Sequence, residues 1–169
     1  ALAMRLRLPS SPARPLLHTL IAAGLSTADP YHALLKHAAF TRHSLRVGRR
    51  TYNLSHIDRI VVVGAGKASA RMAQALETAL GPRLDDGLVI VKTGHTLATK
   101  RITILEASHP IPDRAGLHAT QRLLRLTQCL TPRDLMIVLL SGGASSLLPA
   151  PVAGVTLADK QRTTRLLLR

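Results

Sequence analysis

Arg59-Ile60-Val61-Val62-Val63-Gly64-Ala65-Gly66-Lys67 decides how this chain folds. Its β-branched run has no polar interruption, so it reads as a strand buried on both faces, as in a parallel sheet covered by helices. Gly64 and Gly66 end the strand. Beyond Lys67, the residues Ala68, Met72, Ala75, Leu76 and Ala79 recur at helical spacing until Gly81-Pro82 stops the pattern. Strand, glycine turn and helix form one half of a βαβ unit.

The alternation continues downstream. Leu88 to Val91 and Ile102 to Leu105 read as strands, and a helix is expected from about Asp113 to Leu130. Leu135-Met136-Ile137-Val138-Leu139-Leu140 is apolar throughout, the pattern of a central parallel strand, and runs into Ser141-Gly142-Gly143. A last helix begins at Thr156, with Asp159 in its first turn. Upstream, Leu16, Leu17, Leu20, Ile21 and Gly24 share one helical face, which favours a domain helix from Pro12 to Gly24 over a leader peptide. Asp29-Pro30 opens a second helix through Tyr31, Leu34, Leu35 and Ala38. Residues 41–56 are polar and basic and read as a connection, and residues 1–11 as a mobile lead-in. The expected fold is therefore α/β: a Rossmann-like, mostly parallel sheet with helices on both faces, preceded by two N-terminal helices, over residues 12–169. Leu166-Leu167-Leu168 is an apolar stripe followed only by Arg169, so the domain is expected to be truncated.

Composition agrees with one domain. Of 169 residues, 46% are hydrophobic and only 2% aromatic, so Leu, Val, Ile and Ala must build the core. A net charge of +14 attracts polyanions. The arginines are spread along the chain with no aromatic residues between them to stack on bases, which argues against nucleic acid as a partner. Cys129 is the single cysteine, so no internal disulfide forms; a reducing, cytoplasmic setting is expected, with Cys129 in a helical apolar pattern as a core or half-buried thiol. No apolar run reaches membrane-spanning length. The histidines lack metal-ligand spacing, so no protein-bound metal is expected.

Chemistry concentrates at two turns. Gly64-Ala65-Gly66-Lys67 follows a strand and opens a helix, so its backbone can approach an anion closely while Lys67 adds a positive charge. The dinucleotide fingerprint fails here, because Ser69 stands at its sixth position and Lys92-Thr93 where an acid should end the next strand. A Walker A loop fails too, with Val61 and Ala68 in place of Gly and Ser or Thr. A lysine in a helix's first turn opposes the helix dipole, and a broken local rule of that kind points to function. Ser141, Gly142, Gly143, Ala144 and Ser145 follow the most hydrophobic strand and offer hydroxyl and N–H groups to phosphate. A hydrolase elbow is disfavoured there, since Leu147 stands where its last glycine should and no histidine follows His118 in this chain to complete a triad. Between the turns lies Glu106-Ala107-Ser108-His109-Pro110-Ile111-Pro112-Asp113, stiffened by its prolines. Asp113 can cap the next helix, and for His109, Asp113 and the similarly placed His95 a structural role and a substrate-side role both stay open.

The combination Val63-Gly64-Ala65-Gly66-Lys67-Ala68, Val91-Lys92-Thr93-Gly94-His95, Glu106 to Asp113, Ser141-Gly142-Gly143 and Leu148-Pro149-Ala150-Pro151 resembles bacterial glycerate 2-kinases of the type that carries a C-terminal MOFRL domain, from about Leu16 onward. The resemblance implies phosphoryl transfer from ATP, with Mg²⁺ bound alongside it, to the C2 hydroxyl of D-glycerate, giving 2-phosphoglycerate. It implies that Lys67 is the catalytic lysine and that Ser141, Gly142, Gly143 and Ser145 hold phosphates, with Ala144 where the family often has another glycine. It also implies that a catalytic arginine, much of the substrate site and the MOFRL domain lie beyond Arg169, so this chain alone is expected not to turn over. It leaves a homo-oligomer open and suggests no membrane partner. Similar proteins are sometimes labelled hydroxypyruvate reductases. That oxidoreductase reading and a basic anion- or nucleic-acid-binding module are the alternatives.

Overall fold

The structure, a computed structural model, describes residues 10–169, so the lead-in expected over residues 1–11 falls almost entirely outside it. Two helices come first, α1 (Arg14–Thr27) and α2 (Pro30–His37). The Asp29 carboxylate accepts the Tyr31 N–H at 2.9 Å and Pro30 occupies the first turn, which is why α2 starts where it does. No residue of α1 is buried; Leu16, Leu17 and Leu20 of its apolar face are exposed.

Residues 41–56, read as a plain connection, instead supply two strands of a three-stranded antiparallel sheet: β1 (Ala38–Phe40), just ahead of that segment, is followed within it by β2 (Ser44–Val47) and β3 (Arg50–Asn53). Gly48, at φ 56°, makes the β2–β3 turn. Of its strand residues only Leu45 is buried, so its polarity resembles that of a loop although its backbone groups are paired.

The main sheet consists of β4 (Ile60–Ala65), β5 (Asp86–Lys92), β6 (Ile102–Ala107) and β7 (Leu135–Leu140), all parallel, in the order β6-β5-β4-β7. Helix α3 (Ser69–Leu80) joins β4 to β5 and covers one face, where Ile60, Val62, Leu76, Val89 and Val91 form a core. Helix α4 (Arg114–Gln128) joins β6 to β7 and covers the other face, packing its Leu123 with Val61, Val63, Leu88 and Ile90. Every β4 residue is buried, so alternate residues feed both cores, each large side chain contributing about 1.5–3 kcal/mol. A one-turn helix, α5 (Ala144–Leu147), and a last helix, α6 (Leu157–Leu167), complete the described chain. A capping box between Thr156 and Asp159 starts α6.

Two expectations are corrected. Strand β7 is an edge strand in this sheet, not a central one: Met136, Val138 and Leu140 are exposed on the face they share with Val61, Val63 and Ala65. Continuous apolar sequence signals two-sided packing but not what supplies it. Cys129 is exposed, because it is the C-cap of α4 and falls off the buried stripe of Gly116, Ala119, Thr120 and Leu123.

Strand order fixes where a ligand can sit. From β4 the chain winds outward through β5 to β6, then returns across the sheet to place β7 on the other side of β4. The winding reverses between β4 and β7, and crevices beyond the carboxyl ends of strands at such a point are where open α/β sheets bind ligands. Both glycine turns lie at this reversal.

Candidate active site

The parallel ladder between β4 and β7 pairs Ala65 with Leu140 and continues into the turns. Ser141 N–H donates to Ala65 O at 3.1 Å, and Lys67 N–H donates to Gly142 O at 3.0 Å. The Ser141 hydroxyl accepts the Ala68 N–H at 3.1 Å and lies 3.0 Å from the Ser69 hydroxyl, which is 3.3 Å from Leu139 O. Ser141 thus latches one turn to the other, with Ser69 as a buried partner that its motif position did not disclose. The fit is close enough to need glycine. A Cβ on Gly66, whose φ is +140°, would lie 2.0 Å from Ser141 Oγ, and one on Gly64 would lie 2.2 Å from Leu139 O.

Helix α3 starts at Ser69, so Lys67 sits in the turn ahead of it rather than in its first turn, with an exposed side chain. The tail of Lys67 lies over the second turn: its Cε is 3.6 Å from where a Gly143 Cβ would stand and 3.9 Å from the equivalent point on Gly142. Gly143 has φ +94°, and a Cβ there would also lie 2.8 Å from His109 Nε2. Among the described residues the N–H groups of Gly142 and Gly143 donate to no backbone acceptor, leaving two donors beneath the ammonium tail. Glycine twice, two free donors and an exposed cation suit an anionic ligand in contact with the backbone.

The histidines arrive from two loops. The Nδ1 of His95 is 3.2 Å from Lys67 O, and Glu106 steadies its loop by accepting the Gly94 N–H at 2.9 Å. His109 packs its imidazole edge against Gly143. Burial, then the charges of Lys67, Lys92 and His95, hold its pKa below the usual imidazole range, so His109 is neutral at neutral pH. Asp113 is separated from this group by function: its carboxylate accepts the Gly116 N–H at 2.8 Å as the N-cap of α4. Ser145 is exposed just past the turn, and Ser146 donates to Gly143 O at 3.1 Å. Lys67, His95, His109 and the Gly142-Gly143 turn are therefore one cluster, with Ser145 at its rim. Among the described residues no group of three His, Cys, Asp or Glu side chains is placed to hold a metal ion.

Two supports escaped sequence reasoning. Glu77 on α3 accepts N–H groups from Lys100 (2.8 Å), Arg101 (2.6 Å) and Ile102 (2.8 Å), pinning the end of the His95 loop. Gln161 on α6 donates to Pro112 O at 2.8 Å and brings Lys160 alongside the His109 loop. Both join residues distant in sequence, and neither lies in a recognisable motif.

Comparison with known proteins bears on what such a cluster does. A family model described as a domain of unknown function, DUF4147, matches residues 16–169. A protein of Agrobacterium vitis named putative hydroxypyruvate reductase is 49% identical over 110 residues, covering 65% of this chain and 29% of that protein. A protein of Pyrococcus horikoshii named glycerate 2-kinase is 32% identical over 150 residues, covering 89% of this chain and 33% of that one. The crystal structure of a glycerate kinase from Thermotoga maritima superposes with a TM-score of 0.72 at 32% identity, covering 91% of this chain and 34% of that one. The chain spans about a third of the length of these relatives.

Proposed function

Given that this chain belongs to the DUF4147 domain family, we propose that it forms the phosphate-handling part of a glycerate 2-kinase, which transfers the γ-phosphoryl group of ATP to the C2 hydroxyl of D-glycerate. Relatives named glycerate kinase and the likeness to a glycerate kinase structure support the reading. The observation that carries it is the placement of the Lys67 tail over two unpaired N–H groups at the switch point of the sheet. Phosphoryl transfer asks little covalent chemistry of a protein; it asks for fixed positive charge and donors around a group whose negative charge is spread over its oxygens. Lys67 supplies the charge and the Gly142-Gly143 turn the donors. Gly66 lets the backbone come close, and Ser141 keeps the turns in register. Mg²⁺ would accompany ATP, bound through phosphate oxygens and water. The reductase name carried by relatives finds no counterpart at β5, which ends in Lys92, followed by Thr93, rather than in an acid for a nicotinamide ribose.

The test uses the protein of full family length that carries this chain. D-glycerate with Mg·ATP should yield ADP and 2-phosphoglycerate, Lys67→Met should lower kcat by about 10²–10⁴-fold, and Lys67→Arg should restore only part of it. Oxidation of a nicotinamide by wild-type protein with hydroxypyruvate, without ADP formation from glycerate, would refute the reading.

A further inference from the structure

Beside the cluster lies a cleft of about 340 Å³ that no motif announced, within the size range of small-molecule sites. One wall is the His109-Pro110 loop with Ser145 and Ser146; the other is α6, with Lys160 and Thr164. Its charge is one-sided, on a lining to which Pro110, Pro112, Leu167 and Leu168 add apolar surface. The lining includes a lysine and a histidine and no carboxylate, and Lys160 makes no ion pair among the described residues. Half-buried lysines without partners are uncommon unless a ligand or solvent meets the ammonium, since the charge costs free energy to desolvate. His109 links the two spaces: its imidazole edge abuts Gly143 beneath the Lys67 tail, and the same residue lines the cleft.

We propose that this cleft is the acceptor subsite, which takes a small hydroxy-carboxylic acid with its carboxylate on Lys160 and the Ser145 hydroxyl, and its reacting hydroxyl beside His109, facing Lys67. The inference rests on the kinase reading for the identity of the acid, D-glycerate, and deepens it by assigning a residue outside every motif. A carboxylate is the group that distinguishes such an acceptor from a simple polyol, and a lysine is the cheapest way to recognise it without a planar fork. Neutral His109 is free to accept the hydrogen bond of the hydroxyl. Gln161, bonded to Pro112 O, keeps the two walls at a fixed distance.

Calorimetry on the protein of full family length separates the outcomes. D-glycerate should bind, glycerol should not, and Lys160→Met should weaken D-glycerate binding about 10- to 100-fold while Lys160→Arg keeps most of it and Mg·ATP affinity stays within about twofold. Lys160→Gln serves if the Met variant unfolds. Undiminished D-glycerate binding in both neutral variants overturns the subsite, even if Mg·ATP binds and Lys67 proves essential. Lys160-dependent D-glycerate binding without Mg·ATP binding upholds the subsite and overturns the kinase reading.

Discussion

Gly66→Ala is the sharpest probe of the joined turns. At Gly66 φ is +140°, where L residues are strained, and the new Cβ would stand 2.0 Å from Ser141 Oγ and 2.7 Å from Ser141 O. The dihedral alone costs ~1–3 kcal/mol. Relieving the overlap by moving one strand end against the other adds ~1–3 kcal/mol. The sum, ~2–6 kcal/mol, corresponds to a fall in Tm on the order of 5–20 °C for a domain of this size. Gly48→Ala provides the control, because Gly48 also has positive φ, +56°, but nothing within 4 Å of its Cβ position. It should cost only ~1–2 kcal/mol. Thermal and urea unfolding followed by circular dichroism would measure both. Adding Ser141→Ala to Gly66→Ala should recover only part of the loss, since the carbonyl contact remains. If Gly66→Ala costs no more than Gly48→Ala, the close approach of the two turns is refuted.

Glu77→Ala strands three backbone N–H groups, so it should destabilise the protein by ~1.5–3 kcal/mol and speed amide exchange at Lys100 to Ile102; unchanged exchange there would count against the anchor. Burial pushes the Glu77 carboxyl upward, but the N–H groups of Arg101, Lys100 and Ile102 outweigh it and hold its pKa below the ordinary value, so its stabilisation is present above the unfolded pKa and fades as pH falls through the folded one. His109 has the same sign for a different reason: its depressed pKa favours the neutral folded form, and stability is lost as pH drops from the unfolded imidazole value toward the folded one. Nitrogen NMR titration should show the His109 midpoint rising in Lys67→Met, and no change would contradict their proximity. At the far end of the sheet, Asp134, whose side chain is 1% exposed and 2.6 Å from Arg59, should matter more than Asp58, whose side chain is 51% exposed and paired with Arg133. Asp134→Asn should therefore lower Tm more than Asp58→Asn, and the reverse order would indicate that burial does not set the worth of these pairs.

The strands, the helices that pack on them and the two glycine turns were legible from the order of residues, because each is a local pattern of period, β-branching or missing side chain. Val61 to Val63 could be little else than a buried strand, and Gly66 and Gly143 little else than turns. The β1–β3 sheet was not legible, since its ladders satisfy the backbone while only Leu45 enters the core. Nor was the edge position of β7, because apolar residues report that a face wants cover and not whether this chain supplies it.

For the candidate site, sequence by itself singled out Lys67, the glycines, Ser141, His95 and His109, with the roles of the two histidines open. Tertiary structure decided how they are spent. It turned Ser141 inward as a latch, set Asp113 to capping α4, and brought His109 from the far side of β5 to the edge of Gly143. It also set Lys160 across a cleft from Ser145. These are contacts between residues far apart along the chain, fixed by the strand order and by the reversal of winding between β4 and β7, and no local pattern encodes which distant loop will arrive at a given turn.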